Sequence, residues 1–173
     1  ADKEYKVEIS LIKDDKETPL AGAPVTVKGQ TVTLYQDVDA TATQFHSATF
    51  TMDSGKSKTF DAAVLVSSDM TVDLNTHKLS IKVDGAAFIV KDGAELSIVN
   101  GELKIESSAV NVNSALTIAS GSTVSMKDVK YDTNRTALFP FGNAAKVEIT
   151  DSQITGAYYC VGTNNWYSSN SSL

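Results

Sequence analysis

The sequence predicts an all-β fold: a parallel β-helix, in which short strands coil and stack into a solenoid. Three observations predict it. Apolar–x–apolar triplets recur over residues 64–154. They return at a nearly constant offset. Polar or glycine corners separate them at matching positions. Alternation at period two describes a strand with one buried face, and triplets that return once per coil bury that face by stacking one unit on the next.

The first sixty residues are patterned differently. Val7, Ile9 and Leu11 alternate, Asp14-Asp15-Lys16-Glu17-Thr18 is a polar turn, and Pro19-Leu20-Ala21-Gly22-Ala23-Pro24 leads into Val25-Thr26-Val27. The run from Lys13 to Val27 resembles the first hairpin of an immunoglobulin-like or collagen-adhesin B-type surface module. About thirty residues is short for a complete sandwich. Residues 1–60 are therefore expected to be an N-terminal β-strand cap, with a partial immunoglobulin-like module as the other reading. A cap has a physical reason, because an open terminal rung presents unpaired backbone and apolar surface. Residues 35–60 are expected to hold one or two strands, near 49–52 and 58–60.

The coils follow, over residues 61–173. Units begin at Val64, Phe88, Leu116 and Phe139, which are 24, 28 and 23 residues apart, with a fifth near Val161. This predicts about four to five coils. The expected inward ladders are Val72, Leu96, Val124, Val147; then Leu74, Ile98, Met126, Ile149; then Leu79, Leu103, Val129, Ile154; and Val64, Phe88, Leu116, Phe139. Thr76, Asn100, Asp128 and Asp151 fall at one corner, where Asn and Asp tolerate the left-handed backbone that tight corners demand. Gly93, Gly101 and Gly121 are expected to serve the same end. An antiparallel sandwich also alternates, but gives no reason for ladders at a steady offset. No stretch holds a helical i, i+3, i+4 pattern over three turns.

The run Thr71-Val72-Asp73-Leu74-Asn75-Thr76-His77-Lys78-Leu79 resembles one that opens many bacterial β-helices of the pectate-lyase-like superfamily. Gly93-Ala94-Glu95-Leu96-Ser97-Ile98 and Asn100-Gly101-Glu102-Leu103 are similar to its following coils. Thr76 stands where that run usually has glycine. The resemblance covers roughly residues 58–160 and implies a right-handed coil. For function it implies little, since lyases, hydrolases, adhesins, tail fibres and autotransporter passengers share the scaffold.

Composition narrows the classes. The chain has 173 residues, 42% of them hydrophobic, and a net charge of −6. Arg135 is its one arginine, and no basic stripe appears of the kind that displaces counterions from phosphates, so no nucleic-acid partner is expected. The longest apolar runs, such as Ala86-Ala87-Phe88-Ile89-Val90, are far too short for a membrane span. The start Ala1-Asp2-Lys3 suits a chain that has lost a leader. Cys160 is alone and is read as a small rung-filling residue.

Lyase chemistry needs clustered carboxylates for calcium and a basic group against a uronic acid. Asp128, Asp132 and Arg135 are the one such group, although Asp128 also matches a corner. Hydrolysis needs carboxylates on adjacent coils; the expected outward positions are Asp73, Ser97, Ser125 and Glu148, whose acids lie three coils apart. His46 and His77 have no ligand-spaced partners. No metal or cofactor is expected, and calcium is not indicated. No threonine ladder of the ice-binding kind is visible. The best ligand surface is aromatic: Tyr158, Tyr159, Trp166 and Tyr167, interleaved with Asn164 and Asn165. Rings stack on sugars while amides take hydroxyls. Against this, Tyr158 and Tyr159 could close the final rung with Trp166 packed on it.

The expectation is a secreted or cell-surface β-helix of structural and adhesive function, contacting polysaccharide or host glycan. The alternatives are a polysaccharide lyase or glycoside hydrolase with its active site largely beyond this chain, and a subunit of an extracellular fibre. The ladder is lost after residue 162, so the chain is expected to be truncated or to self-associate through an uncapped C-terminal coil.

Overall fold

In the computed structural model, the residues described are 6–7, 10–13, 16–19, 25–28, 31–42, 45–51, 57–108, 114–141 and 144–162. They form strands, turns and connecting segments without a helix, so none is long and apolar enough to cross a membrane. The N-terminal strands are β1 (Lys6–Val7), β2 (Ser10–Lys13), β3 (Lys16–Pro19), β4 (Val25–Lys28), β5 (Thr31–Leu34), β6 (Val38–Ala42) and β7 (His46–Thr51). The solenoid continues with β8 (Ser57–Val66), β9 (Met70–Asp73), β10 (Lys78–Val83), β11 (Ala86–Val90), β12 (Glu95–Ser107), β13 (Ser114–Ile118), β14 (Thr123–Thr133), β15 (Thr136–Pro140), β16 (Lys146–Thr150) and β17 (Gln153–Gly156).

β5, β6, the second half of β8 and β9–β17 stack as a three-faced parallel solenoid of about three turns, while β2 and β3 form a separate antiparallel pair. The first face runs β5, β9, the start of β12, the start of β14, and β16. The second runs β6, β10, the rest of β12, the rest of β14, and β17. The third runs β8, β11, β13 and β15. Thus β5 and β6 lie on the first rung, and β4 and β1 extend the first face antiparallel. The expected coil count was slightly high: beyond β17 the unit near Val161 contributes a single bridge, to Leu138.

The interior is largely aliphatic, with Phe88 and Tyr131 among the buried side chains. Leu34, Leu96, Ile98, Leu103, Ile105, Leu116, Ile118, Met126 and Leu138 are fully buried, each worth about 1.5–3 kcal/mol on removal from water. Several ladders differ from those expected. Val72 pairs with Ile98 and Met70 with Leu96, a slip of two residues. The cause is the distribution of corner length. The first coil takes a corner two residues shorter before β9 and one two residues longer after it, so the offset runs 24, 26, 24 around the coil. Leu103 pairs with Tyr131, not Val129, and Tyr131 with Ile154. Leu116 pairs with Leu138, which turns Phe139 to the outer side beside Thr117.

The matched corner positions share one backbone conformation. Thr76, Asn100, Asp128 and Asp151 all adopt left-handed φ, of 69°, 61°, 55° and 48°. Gly93 and Gly121 do likewise, at 80° and 74°. Gly101 does not. It is needed for close approach: a Cβ there would lie 2.5 Å from the His77 carbonyl oxygen and 2.6 Å from the Cβ of Leu74. Leu74 is therefore a buried corner residue beneath Gly101, not a rung partner of Ile98.

The third face is buried on both sides, every residue of β11, β13 and β15 included. Its outer side is covered by the antiparallel hairpin of β7 and the first half of β8. Phe50 and Phe60 reach Phe141 at ring separations of 5.5 and 5.2 Å, and Phe139 sits 6.2 Å from Phe141. Ile89, on the outer side, is sealed beneath Ala48, Ala62 and Ala86, with Phe50, Phe60 and Leu65 packed on them.

Candidate functional site

Two surfaces stand out, on different faces. The first is an open groove of about 220 Å3 on the first face, lined by Thr31, Asp69, Met70, Thr71, Glu95 and Ser97. Strand alternation sends one outward row through it: Thr31, Thr71, Ser97 and Ser125 lie side by side on successive rungs, followed by Glu148. This corrects the expected row, because Asp73 faces Val99 and belongs one step along. The two-residue slip thus assembles a hydroxyl row that a constant repeat offset conceals. It also puts two carboxylates on adjacent rungs, Asp69 and Glu95. The first is held by accepting the Glu95 backbone N–H at 2.9 Å. The Oε1 of Glu95 lies 3.1 Å from the Ser97 hydroxyl and 3.0 Å from that of Ser125, and the two hydroxyls are 2.7 Å apart.

The second surface is the corner after β17. Tyr158 and Tyr159 are exposed by 65% and 66%. They do not pack into the last rung, yet their backbone is fixed to it. Ala137 N–H donates to the Tyr159 carbonyl at 2.9 Å, Leu138 N–H to that of Cys160 at 3.0 Å, and Gly162 N–H to that of Leu138 at 3.0 Å. Gly156 permits this turn, since a Cβ there would fall 2.2 Å from the Tyr159 carbonyl oxygen. Asn164, Asn165, Trp166 and Tyr167 lie outside the described residues.

Asp128, Asp132 and Arg135 are not gathered into one pocket. Asp128 occupies its left-handed corner, and Asp132 points outward from β14, roughly 13 Å further at 3.3 Å per residue. Arg135 lies at the next corner, where its backbone N–H donates to the Thr133 hydroxyl and its guanidinium to the Asn134 carbonyl. Asp132 belongs to a charge pattern on the second face. Lys78, Glu102 and Lys130 form one row there, and Lys104 and Asp132 stand side by side in the next. Glu106 holds the Lys104 ammonium above its ordinary range by hydrogen bond and charge, and Lys104 holds the Glu106 carboxyl below its own. Alternating signs cancel the long-range field of this face. Among the described residues, no group of three or more His, Cys, Asp or Glu converges where it could hold a metal ion.

Compared with family models, with curated proteins and with solved structures, the chain matches none, so its function is argued from its own geometry.

Proposed function

We propose that this chain belongs to a secreted or cell-surface β-helix of structural and adhesive function, and that it contacts glycans at the Tyr158–Tyr159 corner. One observation carries the reading: two adjacent tyrosines leave about two-thirds of their surface in water on a backbone pinned to the solenoid. Tyrosine rings on a fixed backbone have only two side-chain torsions to order on binding, and their faces stack on the C–H faces of sugars while the hydroxyls reach polar groups. Asn164, Asn165, Trp166 and Tyr167 follow directly in sequence and supply the amides and further rings such a surface uses. The coil repeat and the Thr71–Leu79 run favour kinship with the bacterial pectate-lyase-like β-helices. A right hand accords with the strong preference of parallel strand connections.

A glycan array with the wild-type chain, Trp166→Ala and the Tyr158→Ala/Tyr159→Ala double variant tests the reading. Binding to a defined polysaccharide, lost in the double variant, is the expected result. No binding by a folded monomer would reduce the protein to a scaffold, and no binding by a concentration-dependent polymer would make it a fibre subunit.

A further inference from the structure

The two ends of the solenoid are finished differently. At the first rung, β4 and β1 extend the first face past β5, and Leu34 and Val38 are buried. At the last rung, no strand among the described residues follows β16 or β17. Ile154, on the same inward ladder as Val38, is only half-buried. Ile149, turned inward from β16, is 43% exposed. Tyr158 and Tyr159 belong to the same rung, so three of the four exposed large hydrophobic side chains among the described residues gather at one end; the fourth, Tyr35, is at the other. Exposed apolar surface collected in one place is the mark of an interaction surface.

The edge of β16 restricts what can sit on it. Lys146 N–H donates to the Ser122 carbonyl at 2.9 Å, toward the rung before it. By strand alternation the N–H and C=O groups of Val147 and Ile149 therefore face away from that rung, along the open edge. Their side chains turn to the interior, while Lys146 and Glu148 are exposed on the outer side, 2.5 Å apart. A second β16 brought antiparallel to this edge by a two-fold axis has its register set by charge. An axis centred on Glu148 opposes that carboxylate to its own copy. An axis centred on Ile149 sets Glu148 against Thr150 and Lys146 against Ser152. An axis centred on Val147 sets Lys146 against Glu148 of the second copy and Glu148 against its Lys146, which is the favourable cross-strand pairing. The four charges then alternate in sign, Val147 meets Val147, and Ile149 lies against the small Ala145.

From this juxtaposition we infer that the last rung is an interface between two copies of the chain, joined about a two-fold axis by antiparallel β16–β16 pairing centred on Val147. A two-fold contact uses the same patch on both copies and so closes at two. A fibre would instead need the first rung to match the last, and there the first face ends in antiparallel β4 and β1. The inference is independent of the glycan reading. It does bear on it, because the Tyr158–Tyr159 corner lies between the second and third faces, opposite the first, and the same axis sets two such corners side by side.

The test is sedimentation velocity on the whole chain over a range of concentrations, with amide hydrogen exchange at the two extremes. A reversible monomer–dimer equilibrium without larger species is expected, and the Val147 and Ile149 amides should be more protected in the dimer. Glu148→Lys puts like charges together at both symmetry-related contacts and should weaken the dimer at least about ten-fold. It does so although it adds two positive charges to a chain of net charge −6 and thus lowers the general repulsion between copies. Lys146→Glu/Glu148→Lys exchanges the two charges, leaves the net charge unchanged and should bring the dimer back. The inference is overturned if the wild type stays monomeric, if it grows beyond the dimer, or if the two amides exchange alike at all concentrations. It is also overturned if the exchange variant, with the circular dichroism of the wild type, stays as weak as Glu148→Lys.

Discussion

At the scale of single residues, the corners carry the most specific demands. Gly101 and Gly93 are both corner glycines, but for different reasons, and their alanine variants separate those reasons. Gly101→Ala drives a methyl into the His77 carbonyl and Leu74, so unfolding in urea should show a loss of about 2 kcal/mol or more, the overpacking scale. Gly93→Ala meets nothing within 4 Å and should cost only the left-handed strain of about 1 kcal/mol. Thr76 is the converse case, a β-branched residue at φ 69°. Relief of about 1–3 kcal/mol of strain outweighs an added unfolded-state entropy of about 0.5–1 kcal/mol, so Thr76→Gly should raise the urea midpoint; a lowered midpoint would contradict this. Tyr131 makes the pH prediction. Burial pushes its phenol far above the ordinary value, with the hydroxyl donating to the Ala137 carbonyl at 3.1 Å. The folded state therefore keeps a proton that the unfolded state gives up above about pH 10. Stability is intact below that point and should fall by about 1.4 kcal/mol per pH unit above it. In Tyr131→Phe this Tyr131-linked part of the alkaline slope disappears.

At the scale of elements, legibility followed periodicity. Strands on the first and second faces alternate, since one side of each meets water, and their existence and corner residues were readable. Register was less so. A two-residue slip keeps the same side inward, so hydrophobic pattern alone does not distinguish Val72 over Leu96 from Val72 over Ile98. What decides it is how corner length is shared within a coil, and the repeat offset averages that away. The groove was hidden for the same reason, because Asp69 and Glu95 become neighbours only in the true register. The covering hairpin did have a signal. Ala86-Ala87-Phe88-Ile89-Val90 and residues 137–141 are continuous apolar runs, as expected of strands buried on both faces. Their triplets also match ordinary rungs, and the pattern of residues 35–60 implies only one or two strands ahead of the first coil, with nothing to mark them as a cover. Phe50→Ala or Phe60→Ala should cost about 3 kcal/mol. Either should also raise hydrogen exchange in β11 and β13 before the other faces respond; exchange that rises equally on all faces would mean the hairpin is not a separate cover.

At the scale of the whole molecule, the solenoid presents three unlike outer surfaces. One face is sealed by phenylalanines, one is a balanced array of lysines and carboxylates, and one is an acceptor-lined groove, with the tyrosine corner at the far end of the stack. Fixed surfaces of this kind suit binding by preorganised contact, since ordering costs have been met in folding. The proposed glycan contact requires the corner rings to stack on sugar. Saturation-transfer NMR tests it most directly, irradiating the aromatic protons of the chain in the presence of the glycan selected on the array. Enhancement concentrated on one C–H face of the sugar is expected, abolished in Tyr158→Ala/Tyr159→Ala while the fold is retained. Enhancement that persists unchanged in that variant, or never appears with the wild type, would contradict it.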